Sequence, residues 1–241
     1  MAGFGADVAL PISDIATFVS TRKPKNVFMT TASSSNAATH SRLAALVSQM
    51  AGSHIQYSVT QQLNSQRCIK STSEQAAIRK AAAVAAEAFN DVMKLRAPNG
   101  VPLSERHLHA RFQYAVALND DCGLSYEPVV AGGDRALTLH YVRNNQPIRA
   151  GELVLMDAGA NWRGYLSDIS RTWPVSGRFS AAQRDVYEAV LEVQVDAIKR
   201  CTQSSGLTDT DLNRLAMRDM QQQVQRLGLN PSKTHQVRVL P

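Results

Sequence analysis

Asp157 and Asp168 stand on either side of a glycine-bearing segment in LVLMDAGANWRGYLSDISRTWPV, residues 153–175. Side chains alternate along a strand, so in ELVLMD the residues Leu153, Leu155 and Asp157 share one face. By the same rule Leu166, Asp168, Ser170 and Thr172 share a face in GYLSDISRTW. AGANWRG between them carries two glycines and an asparagine, which suits a reversing connection. An antiparallel pairing then sets the two carboxylates side by side. Close carboxylates in an apolar setting repel each other, and a cation between them removes that cost. Hard divalent ions favour oxygen ligands, and two of them about 3.5–4 Å apart can share a bridging carboxylate and a hydroxide. A plainer reading stays open. An aspartate before Ala-Gly often caps a turn, and Asp168 could pair with Arg171. His140, in LTLHYVRNN, lies upstream of the pair. A lone histidine is more often structural than catalytic. AGGDRA could be a glycine loop for a phosphate, but it lacks the GxGxxG and Walker spacings, so a tight turn is the better reading.

The elements that must position these residues are legible from Arg67 onward. Ser71 precedes Glu74 by three residues, a capping-box spacing. It opens the alanine-rich EQAAIRKAAAVAAEAFNDVMKL, which predicts a long helix over about 74–95, stopped by PNG at 98–100. Ser104 caps a second helix, ERHLHARFQYAVAL. The stretches LSYEPVVAGGDRALTLHYVRNNQPIRAGELVLMDAG and GANWRGYLSDISRTWPV read as short strands divided by Gly, Pro and Asn turns. Ser180 with Gln183 starts another helix, and Thr208 or Asp209 starts a last one that Gly228 ends. Residues 1–66 are weakly patterned. VALPISDIATFV reads as a strand into a helix, KPKNVFMTT as a loop into a strand, TASSSNAATHS as loop and SRLAALVSQM as helix.

The bulk numbers exclude several classes. A chain of 241 residues with 44% hydrophobic and 19% charged residues is globular. No window approaches the roughly 18 apolar residues of a membrane span, so no membrane partner is expected. The net charge is +6. Lys and Arg are scattered without a basic run, so no nucleic-acid partner is expected either. Cys68, Cys122 and Cys201 are odd in number and far apart, which suggests neither a disulfide framework nor a thiolate zinc site and favours a reducing, intracellular compartment. The N-terminus carries no targeting pattern.

The run EPVVAGGDRALTLHYVRNNQPIRAGELVLMDAGANWRGYLSDISRTWPVSGRFSAAQRDVYEAVLEVQ closely resembles the catalytic domain of the Xaa-Pro aminopeptidases (aminopeptidase P), most of all their mitochondrial, intermediate-cleaving branch. IKSTSEQAAIRKA resembles the entry helix of that domain. WPV after SDISRT and the LHYVRNN run favour this family over prolidase and creatinase. The resemblance implies an α+β pita-bread fold, a curved antiparallel sheet flanked by helices. It implies a dinuclear site of divalent ions, usually manganese, whose bridging hydroxide attacks the bond before proline in a peptide or protein N-terminus. It implies Asp157 as ligand to one metal, Asp168 as the bridging ligand, and His140 as the side chain near the scissile carbonyl. The implied location is mitochondrial or cytoplasmic, and the full-length protein would be a possible homo-oligomer. By the same resemblance, 1–66 corresponds to the tail of an N-terminal domain and its linker, and 67–241 to the N-terminal part of the peptidase domain. The family's ligand histidine lies in a PH..GH-like segment with two glutamates beyond it. This chain reaches VRVLP where that segment would begin, and His235 lacks the context. The expectation is therefore an incomplete ligand set, with a catalytically inactive product or binding module as the alternative to an active peptidase.

Overall fold

A computed structural model describes residues 10–29, 37–49, 54–57, 59–96 and 101–229. The chain divides into two units, Met1–Ala76 and Ala77–Pro241. In the first, α1 (Ile15–Arg22) precedes β1 (Asn26–Met29), then come α2 (Ala37–Ser48), β2 (His54–Tyr57) and α3 (Val59–Cys68). β1 and β2 pair in parallel. The helix expected to begin near Ser41 thus starts earlier, at Ala37. The strand read at Val8 and the PNG stop at 98–100 lie outside the described residues.

The long helix α4 runs over Thr72–Met93. Its start is the predicted capping box: the Glu74 amide donates to Ser71 Oγ at 3.3 Å and the Ser71 amide donates to Glu74 Oε2 at 2.8 Å. Ala77, Ala81, Val84, Ala85, Ala88, Phe89 and Val92 form one buried stripe at helical spacing. The helix α5 (Glu105–Ala117) follows, capped by Ser104, and buries Leu108, Phe112 and Val116. Phe89 and Phe112 meet edge to face with ring centroids 5.2 Å apart.

Those stripes cover the sheets. β3 (Cys122–Leu124), β6 (Ala160–Trp162) and β7 (Tyr165–Leu166) form one antiparallel sheet, order β3-β6-β7. β4 (Val129–Gly132), β5 (Leu153–Ala158) and β8 (Ile169–Pro174) form the other, order β4-β5-β8. β3 leads into β4, β5 into β6, and β7 into β8. The two sheets are therefore one three-stranded antiparallel ribbon, broken across a seam and curved there. Along β5, Val154, Met156 and Ala158 are buried with the α4 and α5 stripes, while Leu153, Leu155 and Asp157 take the opposite face, as the alternation predicts. α6 (Ala181–Arg200) starts at the expected Ser180–Gln183 box, and α7 (Asp209–Arg226) at Thr208.

Three readings need correction. AGANWRG is not one reversing loop: Ala160–Trp162 continues as β6, and the reversal is Arg163–Gly164 alone, with φ of 52° and 87°. Positive φ at both central residues is what a type I′ two-residue hairpin turn demands. Asp168 does not lie inside a strand; it precedes β8, at the seam. No strand occurs between Gly132 and Leu153. GDRAL is a 3-10 turn, and 138–147 is an irregular loop. There the alternation of LTLHYV misled, because Leu137 and Leu139 are 86% and 79% exposed and no partner strand takes them up.

Candidate metal centre

The two aspartates meet at the seam. Asp157 is opposite Ser170 and Ala158 is opposite Ile169. Asp168 therefore stands two residues from Asp157's partner, a diagonal neighbour on the same face. Between the two lies a residue the sequence reading missed. The Tyr126 hydroxyl, from the β3–β4 connection, is 2.6 Å from Asp157 Oδ1 and 2.7 Å from Asp168 Oδ1. That hydroxyl has one hydrogen, so it donates fully to only one carboxylate at a time. Burial, followed by the hydrogen bonds to Asp157 and Asp168, pushes the phenol far above its ordinary value.

Backbone stitching holds the seam in place. The Ser125 amide donates to the Gly159 carbonyl at 2.9 Å, and Ser125 Oγ donates to the Ser167 carbonyl at 2.9 Å. The buried Ser167 hydroxyl accepts from the Ala160 amide at 2.9 Å and reaches the Ala81 carbonyl of α4 at 3.2 Å. Gly159 is where the strands come closest. A Cβ placed there would overlap the Ser167 carbonyl oxygen and stand 2.9 Å from Ser125 Oγ. The glycine of the DAG triplet, two residues after Asp157, is thus a steric requirement.

His140 lies apart from this cluster. It is exposed, with φ of 54°, at a left-handed position in the 138–147 loop. It forms no hydrogen bond or ion pair with either aspartate. The loop itself is held from beneath. Glu105, fully buried at the first turn of α5, accepts from the Gly132 amide (3.1 Å), Arg135 Nε (2.6 Å), the Tyr141 hydroxyl (2.9 Å) and the Gln146 amide (3.0 Å). The buried Asn144 side chain accepts from the Val130 amide at 2.8 Å and donates to the Pro128 carbonyl at 2.7 Å. Burial pushes the Glu105 carboxyl up, but the Arg135, Gln146, Gly132 and Tyr141 donors outweigh it and hold it below its ordinary value of 4.5. A carboxylate lowered by folding stabilises the fold above its unfolded pKa and loses that contribution as pH falls through the folded one. The stability gap between the native chain and Glu105→Gln, from urea unfolding, is therefore expected to be flat at neutral pH and to shrink only below about pH 4.5.

Neither Tyr126 nor Glu105 carries a sequence signal of its own. Tyr126 acts on positions 31 and 42 residues away, so only the strand order reveals it. Glu105 reads as an ordinary acidic residue in a helix's first turn.

The donor set suits a hard divalent cation. Tyr126 engages the Oδ1 atom of each carboxylate, and among the described residues the Oδ2 atoms accept no hydrogen bond. The set is also partial: among the described residues no group of three or more His, Cys, Asp or Glu side chains could hold a metal ion.

Comparison with known proteins gives this geometry a context. Residues 76–237 match the model of metallopeptidase family M24. The chain is 38% identical to intermediate cleaving peptidase 55 of Schizosaccharomyces pombe over 178 residues, 74% of this chain and 36% of that protein. It is 43% identical to human Xaa-Pro aminopeptidase 3 over 149 residues, 62% of this chain and 29% of that protein. The crystal structure of Icp55 from Saccharomyces cerevisiae superposes with a TM-score of 0.81 at 32% identity, covering 97% of this chain and 54% of that one. The aminopeptidase PepP of Pseudomonas aeruginosa gives 0.82 at 30% identity, covering 98% and 53%. The chain thus spans about a third of the curated relatives it matches, and about half of the solved structures.

Proposed function

Since this chain belongs to metallopeptidase family M24, we propose that it supplies the first two carboxylate ligands of a dinuclear aminopeptidase that removes the N-terminal residue preceding proline. The α+β pita-bread architecture is that of Icp55 and aminopeptidase P over the aligned half. The observation that carries the reading is the convergence of Asp157 and Asp168 on one tyrosine hydroxyl, with an unused oxygen on each. In this assignment Asp157 would hold one ion and Asp168 would serve both, manganese being the expected metal. The ions, when bound, supply Lewis acidity and a nucleophile at neutral pH. Tyr126 fixes the rotation of the carboxylates by sharing its one hydroxyl hydrogen between an oxygen of each. His140, on the exposed 138–147 loop, is assigned the ring N–H that would hold a peptide carbonyl. The substrate class follows from the relatives named Xaa-Pro aminopeptidase. A mitochondrial location follows from the Arabidopsis relative, which is named as mitochondrial.

Outer partners of metal ligands typically contribute 10–100-fold in affinity. Tyr126→Phe is therefore expected to weaken manganese binding by about that factor. An unchanged or tighter affinity in calorimetric titration would assign Tyr126 to competition with the ion.

The functional test is manganese-dependent release of the first residue from an Xaa-Pro-Pro peptide by the protein that carries this chain. Turnover that survives a chelator overturns the assignment. Residues 1–241 by themselves are expected to bind manganese weakly and to show no turnover. Two carboxylates supply few of the roughly six oxygen ligands that a hard divalent ion takes, and a loosely held ion stays mostly hydrated. Chelator-sensitive turnover by residues 1–241 would refute this expectation.

A further inference from the structure

We infer that Glu105 is a positioning residue: it fixes the 138–147 loop at points before, within and after His140, so that the imidazole is presented to the Asp157–Asp168 pair. The inference rests on the metal-site reading above and extends it to a residue that touches neither metal nor substrate.

The geometry is unusual for a merely structural carboxylate. Oε1 takes Gly132 and Arg135, at the end of β4 and in the turn that enters the loop. Oε2 takes Tyr141, the residue next to His140, and Gln146 at the loop's exit. The exit is clamped again by the backbone, since the Glu105 amide donates to the Gln146 carbonyl at 3.0 Å and the Ile148 amide to the Leu103 carbonyl at 2.9 Å. Asn144 then pins the same loop to Pro128 and Val130, the residues flanking Val129, which is the register partner of Asp157. A loop that belongs to no strand and exposes Leu139 and Val142 gains little from apolar burial. What order it has comes from polar brackets. Buried ion pairs are often no more stabilising than an apolar replacement, whereas they can dictate one conformation over others. A fully buried Glu105 paired to a partly exposed Arg135, beneath an exposed histidine loop, fits the second role. The backbone turns left-handed at His140 and Asn144, with φ of 54° and 47°, a conformation uncommon for non-glycine residues though most tolerated by Asn and His.

The test uses the full 241-residue chain and manganese alone. Bound Mn2+ broadens nearby proton signals, and the broadening falls steeply with distance. Weak binding in fast exchange still reports it. The amides of Ala158 and Ile169 report the ion at the aspartates, the His140 ring proton reports the loop, and Asp168→Asn controls for stray binding elsewhere. In Glu105→Gln and in the milder Tyr141→Phe, the amide broadening is expected to stay as in the native chain while the His140 broadening falls several-fold. His140 broadening unchanged in both variants overturns the inference. If Glu105→Gln does not fold, Tyr141→Phe decides alone, because it removes one hydrogen bond and leaves Arg135 paired. If Ala158 and Ile169 are not broadened in the native chain, the metal-site reading fails instead. The positioning then rests on metal-free backbone order parameters of 139–145, expected to fall from the rigid range near 0.85 toward 0.6 or below in the variants. Unchanged order parameters would overturn it on that arm.

Discussion

Replacing Gly159 by alanine is expected to unfold the seam. The added methyl would occupy the position of the Ser167 carbonyl oxygen, 2.7 Å from its carbon and 2.9 Å from Ser125 Oγ. Two of these atoms are backbone, so no rotamer change relieves the overlap. The strands must separate where Ser125, Gly159, Ala160 and Ser167 bond to one another. Losing a buried hydrogen-bond network together with close packing belongs to the rare class of substitutions costing about 4 kcal/mol or more. At about 2–4 °C per kcal/mol for a unit of this size, Tm falls by on the order of 10 °C, or the product is recovered only as aggregate. Gly123→Ala is the control, since a Cβ there meets nothing within 4 Å. Equal melting temperatures for the two variants would show that the seam has more room than described.

Asp168→Asn is expected to abolish manganese binding at the pair, and with it any turnover of the protein that carries this chain. An amide has the shape of a carboxylate but no charge, and only one of its two polar atoms accepts. Holding two divalent cations on one side chain draws on the negative charge that the amide lacks. The loss should exceed the roughly 100-fold that removing an outer partner causes, so Asp168→Asn is expected to be the more severe of the two substitutions and Tyr126→Phe the milder. Residual manganese broadening at Ala158 and Ile169 in Asp168→Asn, or an active enzyme, would refute the bridging role.

Much of this was readable in the chain before its structure was known. The helix caps at Ser71, Ser104, Ser180 and Thr208 are local, because one side chain and an amide three residues on decide them. The inner and outer faces of β5 follow from period-two alternation. The aspartate pair was legible because both members belong to one hairpin. Tyr126 and Glu105 were not, because their importance lies in who meets them in space. The 138–147 loop was misread for a related reason. Its alternation of leucines with polar residues looks like a strand, but alternation specifies a face only when a neighbouring strand exists to pair with it.

The two-residue Arg163–Gly164 turn bears on the order of assembly. It joins β6 to β7 with Trp162 opposite Tyr165, and the same ladder continues past the seam to set Asp157 against Ser170. Hairpins of this length close on the order of microseconds, far ahead of pairings between distant segments. Asp157 and Asp168 thus become neighbours early, while Tyr126 arrives from 31 and 42 positions away only when β4 docks. For that interval two like charges face each other with no donor between them. The turn must hold the register alone. A slip of one residue there would send Asp157 to the buried face and bring Met156 out, so a mispaired hairpin would bury a charge and be rejected before the rest of the ribbon forms. The carboxylate that equips the site is, during folding, also a proofreader of its own strand.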